Sequence, residues 1–239
     1  MIEQKWSNVF VLSLGRSGSN AFAKACSHIT NYTSGHETKS WEIGKARLEY
    51  PIHHIESDNK LSWMLGSLDE RFGDAAFYVH LTRGKDAVVK SWDKRWNHSF
   101  SNIRHFAEGV LSNVPELLSE ADKRVIGEQH YDVVNANISL FLKDKSNVMS
   151  ICLEDIEEDF SRFWNAIGAE GDLTAALAEF KKKHNTNASP EVVEKREKAF
   201  RLEIKRKVLE NKIGLVGWGI KRFVLLIKLF ILRIQAFLS

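Results

Sequence analysis

NVFVLSLGRSGSNAF, residues 8–22, passes from an unbroken apolar run into a turn of glycine and serine, and then into a segment of helical character. The run from Asn8 to Leu14 is short and rich in Val, Phe and Leu, the pattern of a strand buried on both faces of a parallel sheet. The helix after the turn is expected to begin at Ser19 or Asn20. A glycine turn in this setting aims successive backbone N–H groups and the positive end of the helix at one point, where a phosphate or sulfate sits well. Gly15 and Gly18 let the backbone come close, while Ser17, Ser19 and Asn20 add hydroxyl or amide contacts. Arg16 supplies a fork of donors able to grip two oxygens of one anion. The usual ATP loop, G-x-x-x-x-G-K-[ST], has a lysine beside its last glycine; Ser19 stands there instead, which disfavours a standard ATPase or kinase. Taken alone, such a turn also fits a plain strand-to-helix connection.

The rest of the chain supplies the layers around this strand. SDNKLSWMLGSLDERFG, residues 57–73, reads as a helix capped by Ser57 or Asp58 and closed at Gly73. AAFYVHLT, residues 75–82, reads as a second strand, RGKDAVVKSWDKRW as the helix that follows, and more helix is expected across residues 101–143. NVMSIC, residues 147–152, is a third strand, followed by an amphipathic helix that stops at Gly168. Strands alternating with helices indicate an α/β domain of three layers around a central, mostly parallel sheet, P-loop-like in its first turn. The chain of 239 residues, 44% hydrophobic, suits one globular domain over residues 1–212 with a separate tail over 213–239. Cys26 and Cys152, far apart in apolar surroundings, read as two buried thiols rather than a disulfide framework or zinc site. His80, inside an apolar strand, reads as a core histidine.

A second anchor stands at Arg83, directly after FYVHLT, with Ser91 eight positions later in the next helix. Strand ends in such sheets form the ligand crevice, where an arginine and a helix serine suit a second phosphate. An arginine capping the sheet through a surface salt bridge is the competing reading.

Together the two stretches resemble the sulfotransferase family, whose members transfer a sulfuryl group from 3′-phosphoadenosine-5′-phosphosulfate (PAPS). The resemblance implies that Arg16, Ser17, Gly18, Ser19 and Asn20 bind the 5′-phosphosulfate, and that Arg83 and Ser91 bind the 3′-phosphate. SICLEDIEEDFSRFWNAIG, residues 150–168, is similar to the family's late strand and helix, and KKHNTNASP, residues 182–190, to the stretch that closes over the nucleotide. One departure lies between Arg83 and Ser91: Lys85 and Ala87 occupy the places where the family usually has Pro and Asp, and Asp86 comes one position early. The resemblance also implies in-line attack of an acceptor hydroxyl or amine on sulfur, with the protein positioning groups and stabilising charge. Arg16 is the residue expected to carry that electrostatic role. No metal is expected, because no compact His/Asp/Glu ligand set is visible.

SGHETKSW, residues 34–41, follows the first helix at the distance where the next strand end should return to the crevice. An unperturbed histidine titrates near pH 6.5, which suits His36 to proton abstraction, and Glu37 beside it is the other candidate. In the tyrosine-protein branch of the family a similar G-E-E-T carries the catalytic glutamate at its first Glu, which corresponds to His36. A surface loop of ordinary polar residues is the alternative. His53 and His54 read as substrate-side or exposed.

With 34 basic and 31 acidic residues the net charge is only +3, which argues against nucleic acid as a partner. The balance is uneven: from residue 181 onward 15 Lys and Arg accompany 5 Asp and Glu. Within residues 213–239, Lys221, Arg222, Lys228, Arg233 and Gln235 fall in an arc of about 160° on a helix, with Phe223, Phe230 and Phe237 opposite. That pattern fits an amphipathic helix lying on an anionic membrane surface, and Lys228 near its middle argues against spanning. A core helix or dimer contact is the alternative. MIEQKW at the start carries no secretory pattern, so a cytoplasmic protein, peripherally held at the cytoplasmic membrane face, is expected. A glycan or glycolipid acceptor follows from the tail alone. Two other function classes stay open: an atypical P-loop kinase-like phosphotransferase, and a noncatalytic peripheral membrane protein that keeps the loop as architecture.

Overall fold

β1, Asn8–Leu12, is buried along its whole length, as its continuous apolar sequence requires. Successive side chains of a strand point to opposite faces, so Val9 and Val11 enter one core layer and Phe10 and Leu12 the other. The computed structural model describes residues 6–98 and 101–182, which fall in one compact unit, Met1–His184. The sequence-predicted tail 213–239, and the closing stretch from residue 183 on, lie outside the described residues.

Five strands form one sheet: β2 (Thr33–His36), β3 (His54–Ser57), β1, β4 (Phe77–Thr82) and β5 (Val148–Cys152), in the order β2-β3-β1-β4-β5. Every pairing is parallel. One face is covered by α1 (Ser19–Cys26), α6 (Ile156–Ala166) and α7 (Leu173–Lys181), with Phe22 against Phe160 and Phe163 at ring separations of 5.2 and 5.1 Å. Truncating such a ring to Ala costs about 3–5 kcal/mol. The other face packs under α2 (Leu65–Phe72), α3 (Lys85–Trp92), α4 (Asn102–His105) and α5 (Glu120–Leu142). The expected three-layer α/β architecture with a parallel centre is present.

Four local expectations give way to tertiary context. Residues 54–57, HIES, form a strand that their polar sequence hides, because His54 and Glu56 bond each other, His54 also bonds Thr33, and Glu56 accepts from Thr38. Asp58 caps a 3₁₀ turn, Asn59–Trp63, by accepting from the Lys60 amide, and α2 starts only at Leu65 before closing at Gly73. The helix expected over 101–143 is broken: a π turn, Phe106–Val110, leads to Ser112 in the left-handed region and Pro115, and α5 begins afresh with the Ser119/Asp122 capping box. Cys26 is buried as expected, whereas Cys152 is partly exposed, because β5 is an edge strand with outward alternate positions.

The strand order decides where a ligand goes. β1 is flanked by β3 and β4, and the chain crosses from one side of β1 to the other between them. In open parallel sheets the crevice at the carboxyl ends of the strands at such a switch point is the binding position. The loop after β1 and Arg83 after β4 both emerge there.

Candidate functional site

The loop Ser13–Gly18 is shaped by its backbone. Gly15, Arg16 and Gly18 all have positive φ, at 89°, 62° and 92°. For Arg16 this conformation carries strain that a non-glycine residue rarely bears, and such strain concentrates at ligand clamps. Gly18 is doubly constrained, since a Cβ there would also stand 2.7 Å from Leu153 Cδ1. It caps α1, whose first residue is Ser19, as the sequence predicts. Ser17 is buried, its hydroxyl donating to the Gly15 carbonyl at 3.4 Å, and Asn20 lies half-buried one step into the helix.

The two anion elements of the sequence meet. The Arg83 guanidinium donates to the Arg16 carbonyl at 3.2 Å, and Arg16 Nε donates to Ser91 Oγ at 3.3 Å, while the Ser91 hydroxyl donates to the Val88 carbonyl at 2.7 Å. The Arg83 carbonyl accepts from the Tyr131 hydroxyl at 2.9 Å, and the next amide, Gly84 N–H, donates to Glu154 at 3.1 Å. Lys85, at the departure from the family pattern, opens α3 and turns outward to Asp132 at 2.7 Å, and Ser91 lies in this same helix, which begins two residues after Arg83.

Cationic charge accumulates at this point. Among the described residues neither Arg16 nor Arg83 has a carboxylate within ion-pair distance. Burial, reinforced by the positive charges of Arg95 and Arg83, lowers the Arg16 pKa to about 10. Arg95 is a residue the sequence reading passes over. It lies half-buried, one turn past Ser91, and the four-residue interval from Ser91 was the available signal.

The predicted base segment also arrives at the crevice. His36 is the last residue of β2, and its Nε2 lies 3.1 Å from Ser19 Oγ at the head of α1. Glu37 follows with φ of 53°, and its carboxylate accepts from Asn59 at 2.6 Å and from Lys60 at 2.5 Å. Burial pushes the Glu37 carboxyl up, but Lys60, then His36 and Asn59, more than offset this and hold it below the usual carboxylate range. Asn59 in turn accepts from Asn102, and both Asn59 and Trp92 would contact a Cβ on Gly15 at 3.5 Å, which ties this network to the loop. His54 is buried and bonded to Glu56 at 2.9 Å and to Thr33 at 2.9 Å, so it belongs to the wall and not the crevice. His80 is bonded to Asn135 at 2.9 Å, as befits a core histidine.

Among the described residues no group of three or more His, Cys, Asp or Glu is arranged to hold a metal ion, and no helix is long and apolar enough to cross a membrane. No model of a known protein family matches the chain, and no curated protein matches it in sequence. Solved structures do match. A sulfotransferase domain from the curacin biosynthetic pathway superposes with a TM-score of 0.53 at 13% identity, covering 79% of this chain and 82% of that one. A sulfotransferase domain from the Synechococcus PCC 7002 olefin synthase does so with a TM-score of 0.50 at 13% identity, covering 81% and 85%. The chain therefore has a sulfotransferase-type α/β fold.

Proposed function

We propose that this protein is a PAPS-dependent sulfotransferase acting on a hydroxyl or amine acceptor. The observation that carries the reading is the convergence of Arg16 and Arg83, joined through the Arg16 carbonyl and Ser91, on the positive end of α1 with no ion-paired carboxylate among the described residues. Two guanidiniums partly withdrawn from water, with no carboxylate within ion-pair distance among the described residues, suit a ligand carrying two anionic groups. The 5′-phosphosulfate goes to Arg16, Ser17, Gly18, Ser19 and Asn20 at the helix end, and the 3′-phosphate to Arg83 and Ser91. PAPS supplies an activated sulfuryl group, and the chain's residues supply position and charge.

Arg16 holds the charge that grows on the departing phosphate oxygen. His36 takes the proton of the acceptor, and Glu37, kept ionised by Lys60, stands beside the imidazolium that results. The chemistry asks for no metal. The acceptor is proposed to be a glycan or glycolipid reached at the cytoplasmic membrane face, with residues 213–239 lying on anionic lipid; sedimentation with anionic against neutral vesicles tests that part separately.

The deciding experiment is calorimetric titration with 3′-phosphoadenosine-5′-phosphate, beside ATP with magnesium, for the wild type and Arg83→Ala. Metal-independent binding of the bisphosphate that weakens about 100-fold in Arg83→Ala is the expected result, two charge-assisted bonds being worth about 3 kcal/mol together. Preference for magnesium-ATP would replace the reading with a kinase-like phosphotransferase. Absence of both would leave the loop as architecture.

A further inference from the structure

Ser19 stands between the anion site and the base. It opens α1, is 7% exposed, and is pinned from behind because its carbonyl accepts from the Ser57 hydroxyl at 3.1 Å. Its own hydroxyl oxygen lies 3.1 Å from His36 Nε2. A hydroxyl offers one hydrogen and two lone pairs, and a neutral imidazole offers one N–H and one bare nitrogen. Either Ser19 donates to a bare Nε2, or a protonated Nε2 donates to Ser19. The two arrangements leave different ring nitrogens able to accept a proton.

An anion at the head of α1 removes the ambiguity. A charge-assisted hydrogen bond is roughly twice as strong as a neutral one, so the Ser19 hydrogen turns to the anion. The oxygen then has only lone pairs to offer His36, and the contact survives only with the hydrogen on Nε2. We infer that Ser19 is a positioning residue that sets the tautomer of His36 in the donor complex, leaving Nδ1 as the atom that takes the acceptor's proton. The inference rests on the donor and base assignments of the proposed function and adds to them an order of events: donor binding prepares the base. In the transfer itself the acceptor O–H gives its proton to Nδ1 while its oxygen forms a bond to sulfur. The bond from sulfur to the phosphate oxygen breaks with its electron pair on that oxygen. His36 ends as imidazolium between Ser19 and Glu37.

The test is nitrogen NMR of the full chain labelled in its histidine rings, at pH 8, with 3′-phosphoadenosine-5′-phosphate as probe and His36→Gln to assign the signals. Protonated and bare ring nitrogens resonate far apart. Saturation is expected to leave the Nε2–H form of His36 in about tenfold excess, a bias of about 1.4 kcal/mol. Ser19→Ala, saturated at higher bisphosphate concentration, should lose that bias and lower kcat about tenfold, and Ser19→Thr, which keeps the hydroxyl, should restore both. Bisphosphate binding with His36 bare at Nε2, or with an even mixture, or with the same bias in Ser19→Ala, overturns this inference and leaves the donor reading standing. A wild type that does not bind the bisphosphate overturns both.

Discussion

At the ends of β1 and β4, Arg16 and Arg83 face the crevice with no carboxylate within ion-pair distance among the described residues, Arg16 on a loop that holds three positive φ angles. At the ends of β2 and β3, farther along the same sheet, the acidic groups are answered one by one: Glu37 by Lys60, Asp58 by Arg47 at 2.6 Å, and Glu56 by hydrogen bonds with His54 and Thr38. Both banks bury charge, which is costly unless something answers it. On the second bank the answer comes from the chain, so the result is a rigid wall that holds His36 in place. On the first bank no described carboxylate comes within ion-pair distance of either arginine, Glu154 acting on Arg83 only from farther off, and the closer answer is left to a ligand. Unmatched charge marks the ligand side and matched charge marks the scaffold.

This contrast can be broken most decisively at Arg47, whose ion pair with Asp58 is almost fully buried, with side-chain exposures of 6% and 0%. Arg47→Met strands a buried carboxylate and is expected to cost about 3–5 kcal/mol in denaturant unfolding, with bisphosphate affinity of the folded fraction unchanged. A loss below about 1 kcal/mol would mean that the wall does not depend on its pairing. Arg83→Ala should do the reverse, weakening the bisphosphate about 100-fold in calorimetry with little change in the unfolding midpoint. Equal losses in stability and affinity would erase the distinction between the banks.

His130 extends the comparison to a titratable group with neither a partner nor a ligand. It is fully buried among Trp63, Trp92 and Phe106, neither ring nitrogen has a hydrogen-bond partner, and burial lowers its pKa to about 4. A base whose pKa is depressed on folding contributes stability above its unfolded pKa, near 6.5, and that contribution fades as pH falls through 6.5 towards 4. The expected loss across this window is about 3 kcal/mol, and His130→Phe should remove that part of the acid sensitivity. An unchanged pH profile of unfolding in the variant would contradict it. The smallest effect belongs to Lys85, one residue past Gly84 but exposed and paired with Asp132. Lys85→Ala should leave the unfolding midpoint and the bisphosphate affinity essentially unchanged. A tenfold affinity loss there would enlist Lys85 on the ligand side.

The parts legible in the sequence are those written in consecutive residues. The apolar run of β1, the glycine turn, the start of α1 at Ser19 and Arg83 at the end of β4 each depend on local spacing. β3 was hidden because HIES buries polar residues that satisfy one another, and polar alternation reads as loop when the partners are unseen. Glu37 remained a second candidate base beside His36 until Lys60 and Asn59 were placed on the carboxylate. Arg95 was passed over because its influence on Arg16 acts through space rather than through the loop.

By itself, then, the sequence determined an α/β layering, an anion turn without the ATP lysine and two arginine stations, since turn chemistry and strand burial are imposed residue by residue. Only the tertiary structure decided that Arg83 reaches the Arg16 carbonyl, that Ser19 meets His36, and that Glu37 is taken by Lys60. Those contacts join segments 17 to 67 residues apart, and their geometry is set by strand order and packing, which no local pattern encodes.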